Sequence, residues 1–84
     1  MKIAKSVSWA KNCKETVIIN TQSHKCLIVD EFGLYIWENL IETFSVEKTV
    51  VNLLNKFPNS NVNKIRNDVI EFYNLLISND IIEE

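Results

Sequence analysis

The apolar pattern of the chain changes its period at Asp30. Before this residue, apolar side chains recur at every second position, which is typical of strands; after it, they recur every three or four positions, which is typical of helices. Strands that precede helices in this way indicate an α+β fold, in which the sheet and the helices are segregated. A chain of 84 residues is too short for a Rossmann or barrel enzyme. We therefore expect residues 1–84 to form a single α+β domain.

Three strands are predicted before Asp30. Residues 3–10 alternate between two faces, with Ile3, Val7 and Trp9 on the apolar one. Residues 16–20 and 26–29 are short β-branched runs, and the residues between them have turn composition. If the strands pair in chain order, the third strand lies at an edge of an antiparallel sheet.

Three helices are predicted after Asp30. Asp30 caps the first, which covers residues 31–42; Ser45 caps the second, and Pro58 ends it. The third begins near Val62 and stops at Asn79 and Asp80. Helical spacing predicts apolar stripes at Gly33, Ile36, Trp37, Leu40, Ile41 and Phe44, then at Val46, Val50, Leu53, Leu54 and Phe57, then at Ile65, Val69, Phe72 and Leu76. The apolar pair Ile81 and Ile82 is expected to pack back on the domain.

The charges of the chain are mild in sum and uneven in distribution. The net charge of −2 argues against a general binder of polyanions. Residues 1–30 contain five lysines and two acidic residues, whereas residues 31–84 contain four basic and nine acidic residues. An acidic partner is therefore expected to meet the N-terminal third first.

The sequence offers little for catalysis or metal binding. Cys13 and Cys26, with His24 as the only histidine, are too few for a zinc site, and we predict free thiols in a reducing compartment. A single glycine, Gly33, excludes a glycine-rich phosphate loop. We expect no enzyme activity and no cofactor. No apolar run approaches 18 residues, so we expect a cytoplasmic protein without a membrane contact.

The predicted third strand and its flanks, residues 25–30, form an unusually apolar edge. Sheet edges are normally protected by proline, bulges or inward charges, and here only Lys25 and Asp30 are available. Such an edge is either covered by a helix of the same chain or extended by a strand of another chain. From the strand alone both remain open, and one form of the second is a homodimer.

A nucleic-acid alternative comes from residues 45–79, whose helix, short break and helix resemble a helix-turn-helix. Residue types that suit bases and phosphates lie at the start of the would-be recognition helix, at Asn63, Lys64, Arg66 and Asn67. Asp68 and Glu71 on the same helix argue against DNA binding.

An ordered set of residues resembles the PqqD-like proteins, also called RiPP recognition elements, over residues 7–82. The set consists of Val29-Asp30, Gly33, Ile36-Trp37, Leu40, Phe44-Ser45-Val46, Leu54, Phe57, Asp68-Val69, Phe72-Tyr73, Leu76 and Asn79-Asp80-Ile81-Ile82. The resemblance implies a winged-helix-like fold, with a three-stranded antiparallel sheet followed by three helices.

The resemblance also implies a function. Such proteins bind the leader segment of a ribosomally made precursor peptide, as in lasso peptide biosynthesis, and present it to an enzyme such as a leader peptidase or a radical-SAM maturase. The leader adds as an antiparallel strand to the third strand, in a groove closed by the third helix. Carried onto this chain, the peptide-binding residues are Lys25, Cys26, Leu27, Ile28, Val29 and Asp30 on the strand side and Arg66, Val69, Ile70, Tyr73 and Ile77 on the helix side. Tyr73 is the expected main contact, and Lys25 and Arg66 are expected to hold acidic leader residues.

Overall fold

A three-stranded antiparallel sheet precedes three helices in the computed structural model, which describes residues 1–12 and 14–83. The strands are β1 (Lys2–Ile3), β2 (Val7–Lys11), β3 (Thr16–Asn20), β4 (Lys25–Val29) and β5 (Ile82–Glu83), and the helices are α1 (Glu31–Thr43), α2 (Val46–Lys56) and α3 (Val62–Ser78). The larger sheet has the order β2-β3-β4, so the predicted α+β fold and the sequential strand pairing are confirmed.

The first predicted strand is divided in the structure. Residues 3–10 do not form one strand, because β1 leaves the main sheet and pairs antiparallel with β5. The Ala4 amide donates to the Ile81 carbonyl at 3.0 Å, and the Val7 amide donates back to the Ala4 carbonyl, which turns the chain between the two strands. Ile81 and Ile82 are buried, as expected for an apolar tail that packs back, and their burial fixes β1 beside them.

Each helix begins at a polar side chain that caps a backbone amide. The Asp30 carboxylate accepts from the Gly33 amide at 2.8 Å, and Ser45 Oγ accepts from the Lys48 amide at 3.2 Å, which confirms both predicted caps. Asn61 caps α3 through the Lys64 amide. Phe44 ends α1 in a left-handed conformation and is half exposed, so it does not continue the core stripe predicted for this helix.

One hydrophobic cluster joins the sheet to all three helices. Trp37 and Leu40 of α1, Leu53 of α2 and Ile18 of β3 are fully buried in it. The predicted stripe of α3 is buried throughout, at Ile65, Val69, Phe72 and Leu76.

The strand register assigns each side chain of the sheet to one of two faces. Ile18 of β3 is buried and pairs with Trp9 of β2 and Leu27 of β4, so these three side chains share the inner face that packs on the helices. The neighbouring positions alternate to the other face. This outer face carries Ser8, Ala10, Val17, Ile19, Cys26 and Ile28.

Three of the five lysines in residues 1–30 form ion pairs with acidic residues of residues 31–84. Lys2 pairs with Glu83, Lys11 with Glu38 and Lys25 with Asp80, at 3.8, 3.9 and 3.3 Å respectively. These three N-terminal lysines therefore do not form a basic surface by themselves. Cys26 is a free, exposed thiol, and the predicted Cys13 thiol lies outside the described residues. Among the described residues no helix combines the length and the apolar character that a membrane crossing requires.

Candidate binding cleft

The edge of β4 has backbone groups that no described strand pairs with. The Thr21 amide donates to the Ser6 carbonyl at 2.9 Å, a bond that flanks the register pair of Val7 and Asn20. In an antiparallel ladder, the backbone groups of Asn20 then face β4 rather than β2. Because backbone groups alternate in direction along a strand, those of Lys25, Leu27 and Val29 bond to β3. The N–H and C=O groups of Cys26 and Ile28 consequently point away from β3, into the free edge.

The free edge of β4 lies on the side of α3, and contacts at two ends relate the two elements. We call the space between them the cleft. At one end, Val29 of β4 and Phe72 of α3 both lie against Gly33: a Cβ on Gly33 would lie 3.0 Å from Val29 Cβ and 3.3 Å from Phe72 Cε2. At the other end, Lys25 Nζ lies 3.3 Å from both the Ser78 carbonyl and the Asp80 carboxylate. Between these contacts, β4 runs alongside the C-terminal half of α3.

The buried stripe of α3 has one flank on each side. Residues spaced by three or four positions share a flank, so Arg66, Ile70, Tyr73 and Ile77 lie together on one of them. Arg66 forms an ion pair with Glu47 in the first turn of α2. This flank therefore turns toward α2, and we assign the opposite flank to the cleft.

The opposite flank of α3, which we assign to the cleft, carries Asp68, Leu75 and Asn79, and Phe72 of the buried stripe borders it. Phe72 is buried against Gly33, whereas the Leu75 side chain is 47% exposed. With Leu27 on the inner face of β4, Leu75 and Phe72 give the cleft an apolar lining. A separate depression of about 340 Å³ at the start of α3 is lined by Phe32, Ser60, Asn61, Lys64, Ile65 and Asp68.

Comparison of the sequence with protein families identifies the family of this chain. A family model described as coenzyme PQQ synthesis protein D (PqqD) matches residues 15–82, which include β3, β4 and all three helices. The chain belongs to the PqqD family. The family resemblance noted in the sequence is thereby confirmed. The matched residues form one continuous segment of the chain.

A solved structure has the same fold as this PqqD-family chain. It is described as TbiB1 in complex with the TbiA(beta) leader peptide, and it superposes with a TM-score of 0.86 at 24% sequence identity. The match covers 99% of this chain and 95% of that chain. No curated protein matches the chain. At this identity the structural match supports the fold, and the ligand in its description belongs to TbiB1.

The residues predicted to bind peptide have different environments in the structure. Cys26 and Ile28 of this PqqD-family chain offer backbone groups to the edge, Leu27 and Val29 contribute side chains to its inner face, and Asp30 is engaged as the cap of α1. On α3, Val69 is fully buried in the core, so its side chain is not accessible to a ligand. Arg66 contacts Glu47 of α2, and Ile70, Tyr73 and Ile77 share its flank by helical spacing. That this flank closes the groove remains a prediction.

The peptide-binding residues predicted from the sequence do not include Asp68, Phe72 or Leu75, which we assign to the cleft from the structure. The spacing of Asp68, Phe72, Leu75 and Asn79 is as regular as that of the flank that was chosen. What decides between the flanks is the direction from which α2 crosses α3, and this crossing depends on contacts between residues far apart in sequence.

Two of the four residues of the alternative DNA-binding set, Lys64 and Arg66, form ion pairs within the domain. Lys64 Nζ lies 3.3 Å from the Asp68 carboxylate one turn later, and Arg66 is paired with Glu47. Both cations at the start of α3 thus have a carboxylate within ion-pair distance. In the part of the chain that the structure describes, no cluster of three or more potential metal ligands is found.

Proposed function

We propose that this PqqD-family protein acts as a RiPP recognition element that binds the leader segment of a ribosomally made precursor peptide as an additional antiparallel strand on β4. The observation that carries the proposal is the free edge of β4 beside an apolar cleft under α3. The structural relative is described as a complex with a leader peptide, which supports the same ligand class for this chain.

Strand addition assigns the leader residues to two faces. Leader residues opposite Lys25, Leu27 and Val29 would point to the inner face, toward Phe72 and Leu75. Leader residues opposite Cys26 and Ile28 would point to the outer face. Because the added strand is antiparallel, the leader would run from the Gly33 end of the cleft toward the Lys25 end, with its upstream residues near the depression beside Phe32.

The energetics of such a site place its specificity in the apolar lining. Ordering about five leader residues costs about 5–10 kcal/mol in backbone entropy. Cys26 and Ile28 offer four backbone groups, and each hydrogen bond contributes about 1 kcal/mol net. The ladder therefore does not offset the ordering cost, whereas each apolar side chain that becomes fully buried adds about 1.5–3 kcal/mol. We infer that two or more apolar leader side chains enter the cleft.

The delivery of the held leader to an enzyme is part of the same proposal. A domain with an exposed peptide-binding edge suits a carrier that lacks catalysis of its own and serves a leader peptidase or a radical-SAM maturase. The cytoplasmic location, the single-domain organisation and the absence of catalysis remain predictions from the sequence.

The test is direct binding of the leader of the precursor peptide encoded beside the gene. Fluorescence anisotropy of the labelled leader should show saturable binding that an unlabelled leader displaces, and a scrambled leader of the same composition should not compete. Amide resonances of Cys26 and Ile28 should shift on titration. Absence of binding to the leader of every neighbouring precursor peptide would refute the proposal.

A further inference from the structure

Two neighbouring depressions lie at the end of the main sheet where β4 begins. The first, of about 370 Å³, is lined by Asn20, Gln22, Ser23, Asp80, Ile82 and Glu83. The second, of about 300 Å³, includes Lys5 and Ser6 from the turn between β1 and β2. Asn20, Gln22 and Glu83 line both depressions. The two therefore adjoin, and together we call them the end groove.

The buried side chain of Asn20, which is 5% exposed, holds the floor of the end groove. Its Nδ2 donates to the Asp80 carbonyl at 2.6 Å. Its Oδ1 accepts from Ser6 Oγ at 2.7 Å and from the backbone amides of Gln22 and Ser23. One side chain thus joins the turn after β3, the turn before β2 and the segment before β5. A groove built on such a network is formed before a ligand arrives, as binding sites usually are.

Gln22 and Lys5 bring side chains to the end groove that have no bonding partner among the described residues. Gln22 bonds to Asn20 only through its backbone amide. Lys5 forms no ion pair, in contrast to Lys2 and Lys25. Both side chains are exposed. A primary amide offers a donor and an acceptor, which match a peptide group, and an ammonium matches a carboxylate.

The end groove begins where the leader would leave β4, and this step rests on the proposed function. Asp80 belongs to both places, because its carboxylate lies 3.3 Å from Lys25 Nζ at the end of the cleft and it also lines the first depression. Neighbouring strands lie about 4.8 Å apart, so an added strand on β4 is about 14 Å from β2 across the end of the sheet. An extended peptide covers this distance with about four or five residues, at about 3.3 Å each.

We propose that the end groove is a second subsite for the same peptide and binds the stretch of leader that follows the added strand. The side-chain amide of Gln22 bonds to a peptide group in the first depression. The Lys5 ammonium pairs with an acidic leader residue about four or five positions beyond the strand. By holding this stretch, the protein limits the length of free peptide between the bound leader strand and the part that an enzyme modifies.

Labelled leaders of two lengths, compared by fluorescence anisotropy, test this proposal. The short leader is the shortest C-terminal truncation of the leader encoded beside the gene that still shifts the amide resonances of the β4 edge. The long leader has about six further residues of the precursor peptide, enough to span the end of the sheet. Gln22→Ala and Lys5→Glu change the end groove. Asn74→Ala on α3 and Lys48→Glu on α2 are matched controls, because both residues are exposed.

The expected result separates the two subsites. Wild type should bind the long leader at least about fivefold more tightly than the short one, because the added stretch gains a hydrogen bond and an ion pair. Gln22→Ala and Lys5→Glu should each lower the affinity for the long leader about three- to fivefold and leave that for the short leader within about twofold. Replacing the acidic residue of the long leader by lysine should weaken its binding to wild type and strengthen its binding to Lys5→Glu. Both control variants should match wild type with both leaders.

Three outcomes overturn the proposal. The first is equal affinity of wild type for the two leaders. The second is an equal loss of affinity for both leaders in Gln22→Ala and Lys5→Glu, which would place the effect in the whole domain rather than in a subsite. The third is a precursor peptide with no acidic residue in the added stretch, or a charge reversal in the peptide that does not favour Lys5→Glu. Binding of the short leader in these cases leaves the proposed function intact, whereas absence of binding by both leaders refutes the proposed function and the subsite together.

Discussion

Arg66 of α3 donates a hydrogen bond to the carboxylate of Glu47 in the first turn of α2. This contact orients the flank of α3 that carries Arg66 toward α2 and leaves the opposite flank beside the free edge of β4. An acidic leader residue would therefore have to compete with Glu47 for the guanidinium. The apolar cleft instead has Leu75 as its most exposed aliphatic side chain.

Leu75 and Ile70 form a matched pair that tests which flank binds the leader. They are 47% and 39% exposed, and they lie on opposite flanks of one helix. Leu75→Ala should weaken leader binding about tenfold, because it removes much of an apolar side chain that the leader would bury. Ile70→Ala should leave the affinity within about twofold. If an anisotropy titration shows that Ile70→Ala weakens leader binding and Leu75→Ala does not, the leader binds the flank that carries Tyr73.

Ile28 tests the strand-addition mechanism, because its amide faces the free edge rather than β3. Ile28→Pro removes one edge donor while leaving the ladder with β3 intact, so leader affinity should fall about five- to tenfold. Ile28→Ala is the side-chain control and should bind nearly as well as wild type. Leu27→Pro should lower the melting temperature measured by circular dichroism, because Leu27 bonds to β3. Equal leader affinity of Ile28→Pro and wild type would rule out an added strand on this edge.

Local signals in the sequence were sufficient for most of the fold. The caps Asp30 and Ser45 and the buried stripe of α3 were all predicted, because each depends on residues within a few positions of one another. The pairing of β1 with β5 was not predicted. It joins residues about 80 positions apart, and only the burial of Ile81 and Ile82 indicated that the end of the chain packs back.

The two walls of the proposed site differ in how far local sequence determines them. The edge of β4 follows from strand order, which an α+β pattern with short connections nearly fixes. The α3 wall depends on the crossing of α2 and α3, and regular spacing on both flanks gave no signal for the choice. The charge asymmetry of the sequence also involves contacts between distant residues, since Lys2, Lys11 and Lys25 are each paired with an acidic residue from the C-terminal two thirds. That an acidic partner meets the N-terminal third first remains a prediction.

Salt dependence distinguishes peptide binding from the DNA-binding alternative. Leader affinity should change less than about threefold between 50 and 200 mM salt, because the proposed cleft is apolar and the cations Lys64 and Arg66 are already paired. A protein that made six or more phosphate contacts would lose about a thousandfold or more over the same range. Titration of labelled duplex DNA at low salt is the measurement. Tight binding that weakens this steeply would favour a nucleic-acid ligand.

Trp37 is expected to control stability rather than binding. Its side chain is fully buried, and its ring meets that of Trp9 edge-to-face at a centroid distance of 6.1 Å. Trp37→Ala should cost about 3–5 kcal/mol through the cavity it creates, which is most of the stability of a small domain. Trp9→Ala is the control: Trp9 is 37% exposed, and its loss should cost about 1–2 kcal/mol. Urea denaturation followed by far-UV circular dichroism gives both values. A cooperative transition of Trp37→Ala at the wild-type midpoint would show that the sheet and the helices do not depend on this side chain for their common core.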